Sequence, residues 1–187
     1  MGLSVESMAI ELPTVHGHPN RAEFRGVLTM VDVASDKSPS GARGHRVLLT
    51  RRAAEAAIPS LMGMGLDYSP ALDRHDARRK IGVITRAEIV GRVVEVGGFL
   101  YARDFPEIVA EIGRPGRTGV PVSAEAESAD GNVRANRGGL GMSYEITDAF
   151  VEDMKASVWV LNRVTFPGAA VLRRDKAAYC STWIELG

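Results

Sequence analysis

The chain has 187 residues, 45% hydrophobic and 25% charged, which suits one soluble domain with a core of its own. Lys plus Arg and Asp plus Glu both total 23, so the formal charge is zero. That balance speaks against a phosphate-neutralising nucleic-acid binder and against a polybasic membrane anchor. A single cysteine, Cys180, cannot close an internal disulfide and reads as a small buried apolar side chain rather than a catalytic thiol. No apolar run reaches the length of a membrane span, and Met1 to Pro13 holds two glutamates and no Lys or Arg, unlike a signal peptide. The protein therefore reads as cytosolic.

Residues 1–23 read as an irregular polar segment, with His16 and His18 in an exposed turn lacking ligand-spaced partners. Phe24 to Val33 is β-rich and reads as the first strand; Ser35 to Gly44 is a loop, and Arg46 to Thr50 a short strand. Thr50 is placed to cap an alanine-rich helix over Arg51 to Ile58, which Pro59 should break or kink, and Gly63 and Gly65 close that segment. Lys80 to Val90 and Arg92 to Val96 are β-rich, and Gly97-Gly98 before Phe99 predicts a two-residue hairpin. Asp104, Pro106 and Glu107 predict a capped helix that Gly113 ends.

Residues 113–141 lack apolar periodicity and predict a long functional loop bordering a site, with Val120 to Ala126 as a brief strand. Strands follow at Met142 to Ile146 and Ser157 to Phe166, then a short pair at Ala169 to Leu172 and Tyr179 to Leu186. The expected fold is a single domain over 1–187, mainly β with flanking helices (α+β), a barrel-like core of seven to nine strands.

Nucleophilic catalysis needs a nucleophile, a base and oxyanion donors. Of the four histidines, His45 stands between arginines and reads as a surface residue, whereas His75, just before the strand Ile81-Gly82-Val83-Ile84, can point into a groove. Ser143 follows Gly138-Gly139-Leu140-Gly141-Met142, and glycines there could leave N–H groups free to face a carbonyl. Ser123 is a weaker rival without flanking glycines. Neither a dinucleotide fingerprint nor a P-loop is present, so no cofactor or metal is expected.

His75-Asp76 before an Ile-Gly strand, the later Gly141-Met142-Ser143 strand, and Val164-Thr165-Phe166-Pro167-Gly168-Ala169-Ala170 resemble, in that order, the prohead proteases of tailed phages. The resemblance spans roughly residues 24–180. It implies a fold similar to herpesvirus assemblin, a single β-barrel wrapped by helices. It implies a serine endopeptidase that cleaves scaffold and capsid precursors during prohead maturation, in the host cytoplasm inside the immature head. His75 matches the family histidine and Ser143 the family serine. The third position departs: no histidine follows His75, and the place of a glutamate in some relatives is Val160. Asp76, Glu145, Asp148 and Asp153 are the candidates, and a Ser–His dyad is the remaining choice. The alternative is an inactive structural or scaffold-associated head protein that keeps the protease fold. Partners on this reading are the major capsid protein and scaffold precursors, with self-association open.

Overall fold

Where Ala87 and Ile89 are buried between exposed Arg86, Glu88 and Val90, the chain alternates with period two and forms half-buried strand. Strand is the most abundant regular element among the described residues. The computed structural model describes residues 6–114 and 139–187. In chain order its elements are β1 (Ser7–Ala9), β2 (Ala22–Met30), β3 (Arg46–Leu49), α1 (Arg51–Leu61), β4 (Gly65–Asp67), β5 (Lys80–Val90), β6 (Val93–Leu100), α2 (Pro106–Ile112), β7 (Leu140–Val151), β8 (Val158–Arg173) and β9 (Trp183–Leu186). The fold is mainly β with two α-helices, consistent with the α+β expectation.

The strands form one sheet in the order β3-β8-β4-β5-β6-β2-β9, with β1 added to β5 and β7 added to β8. This path has two ends and does not close among the described residues; the sheet is a curled half-barrel. Strand β8 organises it, lying parallel to β3 and β4 and antiparallel to β7. The inner face holds one cluster running from Phe24 to Ile184, with Leu49, Ile58, Leu61, Leu66, Ile84 and Phe166 wholly buried. Helix α1 packs Ala53, Ala54, Ala57, Ile58 and Leu61 into that cluster. Among the described residues no helix is long and apolar enough to cross a membrane.

Several local expectations are corrected. Gly97 and Gly98 lie inside β6; the chain reverses at Gly91, whose φ of 59° supplies the positive angle a tight hairpin turn needs. Gly98 serves close approach instead: a Cβ there would stand 1.9 Å from the Val83 carbonyl oxygen, where β6 crosses the β5 bulge between Ile84 and Arg86. Pro59 does not end α1, because Ile58 and Leu61, both fully buried, hold its last turn on the core. The helix ends at Leu61 with Met62 as its C-cap, and Gly63, φ 78°, turns the chain toward β4. Asp104 does not cap α2; its carboxylate accepts from Asn20 Nδ2 at 2.8 Å, and Phe105 is the capping residue.

Phe166-Pro167-Gly168-Ala169 is not a turn between strands but the middle of β8. On the edge away from β7, β8 pairs with β3 over Val158 to Leu161 and with β4 over Ala169 and Ala170, so Pro167 falls in the gap between the two partners. Within the expected irregular segment 1–23, the described residues from 6 onward are more regular, since Ser7–Ala9 pairs with β5 and β2 starts at Ala22. Cys180 is exposed: Tyr179 takes the inward place in that turn, and the Cys180 N–H bonds Asp36 Oδ2 at 2.7 Å. His45 is half-buried and stacks on Trp159 with 4.6 Å between ring centroids. The brief strand expected over Val120 to Ala126 lies outside the described residues, as does most of the long loop.

Candidate active site

Ala170 of β8 is the middle of a three-strand row. Asp67 of β4 pairs with it on one side and Ser143 of β7 on the other. Residues aligned across neighbouring strands point to the same face, so Asp67 and Ser143 flank Ala170 on one surface. Ala169 and Val171 point into the main core, while Ala170 belongs to a separate buried cluster with Leu172 and Ala177. The alternation of β8 thus gives the site its own face of the sheet. The small methyl of Ala170 leaves room above it for a ring.

His75 fills that room from the loop 68–79, which joins β4 to β5. The loop is pinned along its length. Tyr68 donates to Glu107 Oε1 at 2.7 Å, and Ser69 donates to Asp73 Oδ1 at 2.8 Å. Leu72, at φ 54°, accepts at its carbonyl from Arg173 N at 2.7 Å. Asp76 N–H donates to Asp67 Oδ1 at 3.0 Å. These anchors on either side of His75 fix where its ring stands.

His75 Nε2 lies 3.1 Å from Ser143 Oγ, joining residues 68 positions apart in sequence. On the other side of the ring, Nδ1 lies 3.2 Å from Glu145 Oε1 and 3.8 Å from Asp67 Oδ1. Nδ1 is buried, yet neither carboxylate makes a hydrogen bond with it. The ring stands between two carboxylates and is close to both. Glu145 is the nearer partner for Nδ1–H, because the 3.8 Å to Asp67 exceeds hydrogen-bond length.

Glu145 reaches this place because it stands two residues after Ser143 on the same strand, and alternate residues share a face. Its register partner on β8 is Gly168, and a Cβ there would come within 2.9 Å of Glu145 Oε2. Gly141, two residues before Ser143, is also a matter of space: a Cβ would meet Thr182 Oγ1 at 2.7 Å, and that hydroxyl accepts from Met142 N at 3.2 Å. The close approach expected of this glycine is therefore made against Thr182. On the inward side of the strand, Tyr144 packs edge-on against Phe166 at 5.8 Å, and burial raises its pKa.

Of the four expected acids, only Glu145 faces the histidine. Asp76 contributes its backbone, and its carboxylate turns to Arg78 N and Arg79. Asp148 is exposed at φ 50°, and Asp153 accepts from Lys155 N at 2.8 Å in an exposed turn. Val160 is exposed on β8 and pairs with Leu48 of β3. Ser123 lies outside the described residues.

Sequence reasoning missed Asp67, which has no exposed side-chain surface. Burial pushes its pKa up, but His75, the Asp76 N–H and Lys80 outweigh that and leave it below the ordinary carboxylate value. Lys80 Nζ stands 3.1 Å from Asp67 Oδ2. Asp67, His75 and Glu145 present potential metal-ligand atoms within 4.8 Å of one another. The Lys80 ammonium already supplies positive charge against Asp67, and Nε2 is engaged with Ser143, so this donor set fits a proton-transfer site better than a cation site. No family model, curated protein or solved structure matches this chain.

Proposed function

We propose that this chain is a serine endopeptidase with Ser143 as nucleophile, His75 as general base and Glu145 as the carboxylate that orients the base. One observation carries the reading: Ser143 Oγ and His75 Nε2 are 3.1 Å apart, with a carboxylate 3.2 Å from the opposite ring nitrogen. A nucleophile hydrogen-bonded to a base, with an acid close to the base's far nitrogen, is the arrangement acyl transfer needs.

In this mechanism, neutral His75 takes the Ser143 proton at Nε2 as Oγ bonds to the peptide carbonyl carbon. The carbonyl electron pair moves onto oxygen to give the tetrahedral oxyanion. As this collapses, the C–N bond breaks and the imidazolium gives its proton to the leaving amine, leaving an ester on Ser143. Water then attacks the ester, passing a proton to Nε2. The acid product leaves, and the proton returns to Oγ. While His75 is charged, Glu145 faces the imidazolium from Nδ1.

For the substrate, the ordered motifs around His75, Ser143 and Phe166-Pro167-Gly168-Ala169 favour capsid and scaffold precursors in a tailed-phage prohead. On this reading the curled sheet is a form of the assemblin-like barrel. The test is co-expression with the capsid and scaffold precursors encoded beside it, followed by mass spectrometry. The wild type should release defined fragments, and Ser143→Ala and His75→Ala should release none. The same fragments from Ser143→Ala would refute the assignment. No fragments from the wild type would favour a structural head protein that keeps the fold without the activity.

A further inference from the structure

We propose that Asp67 is a second carboxylate partner of His75: a positioning residue that fixes the loop carrying the base and shares with Glu145 the charge formed on the ring. The inference rests on the Ser–His reading of the site.

A wholly buried carboxylate is costly unless its oxygens are partnered. Asp67 Oδ1 accepts from the backbone N–H of Asp76, the residue directly after His75, at 3.0 Å. Its Oδ2 pairs with Lys80 Nζ at 3.1 Å, at the start of β5. Asp67 therefore ties down Asp76 and Lys80, and His75 immediately precedes the first of these two anchors. The same Oδ1 lies 3.8 Å from His75 Nδ1, too far to bond at rest but close enough for charge. Nδ1 is buried without a hydrogen bond, so a small ring rotation can engage either acid. The groups around the ring are few. Strand β7 brings Ser143 and Glu145, and β4 brings Asp67. Strand β5 brings Lys80, through Asp67. From the ring's own loop come Arg74 and Asp76, and Asp76 is turned to Arg79. Strand β8 contributes only Gly168 and Ala170 beside them.

The experiment follows the His75 ring by NMR, with the pH profile of kcat/KM beside it, in wild type, Asp67→Asn and Glu145→Ala. In Asp67→Asn the ring's titration midpoint and the acid limb of the profile should both move to lower pH by about one unit. In Glu145→Ala the ring should keep its proton on Nδ1, because Asp67 remains to accept it, and activity should fall only partly. The inference is overturned if Asp67→Asn leaves the midpoint in place, or if Glu145→Ala moves the proton to Nε2. The second arm decides even if Asp67→Asn fails to fold. The NMR readout needs no turnover, so a chain that cuts nothing would undo the protease reading while leaving the Asp67–His75 contact separately tested.

Discussion

Gly98→Ala tests the crossing that curls the sheet and places β5 beside the site. The added Cβ would lie 1.9 Å from the Val83 carbonyl oxygen, 3.0 Å from the Val83 carbonyl carbon and 3.1 Å from Ile84 Cα. All three are backbone atoms, so no side chain can swing away. Ordinary contact would need the strands to part by about 1.5 Å, because carbon contacts settle near 3.5 Å. Gly98 also pairs with Phe24 of β2, so β6 is held from both sides. The cost belongs at the upper end for overpacking, about 3 kcal/mol. For a chain of this size that corresponds to a fall in Tm of about 6–12 °C. Gly41→Ala is the control, since nothing lies within 4 Å of a Cβ there. Thermal melts by circular dichroism measure both. A Gly98→Ala protein melting within about 2 °C of wild type would show that the two strands do not cross as closely as described.

The remaining predictions concern the site. Ala170→Leu puts bulk under the His75 ring and should lower kcat/KM by about a hundredfold, as misplacement by an ångström does; peptide cleavage measures the rate, and circular dichroism checks the fold. Glu145→Ala should also cost about a hundredfold, well short of Ser143→Ala, because Asp67 stays 3.8 Å from Nδ1. Asp67 has a folded pKa below its ordinary value of 3.8, so its stabilising contribution is complete above that value and lost as pH falls through the lower folded one. Urea melts between about pH 5 and pH 2 should show this acid loss in wild type, and a shallower slope in Asp67→Asn.

The parts of the site legible in the sequence were those marked by rare residue types. Only four histidines exist: two fall in the N-terminal turn, His45 stands between arginines, and His75 stands before a β-rich run; Ser143 carries a glycine-rich approach. Glu145 was within reach, because position i+2 on a strand shares a face with position i, and Ser143 was already assigned to that strand. Asp67 was not. Strand β4 has three residues, too few to show a period, and its alignment with Ala170 comes from parallel pairing more than a hundred positions away in sequence. The same non-local pairing explains the misread glycines and proline. Gly97-Gly98 and Pro167-Gly168 carry strong local turn signals, yet the first pair sits inside a strand between β2 and β5, and the second is carried within β8 by its pairing with β7. Thr50, whose role depends on nearby residues, behaves as local rules expect.

The most direct test of the central claim is reaction with a fluorophosphonate probe, which forms a stable adduct only with an activated serine hydroxyl. Wild-type protein should gain one adduct, and peptide mass spectrometry should place it on Ser143. His75→Ala should label far more slowly, since Ser143 Oγ then loses the base 3.1 Å away. Labelling at another serine, or equal labelling with and without His75, would contradict the account.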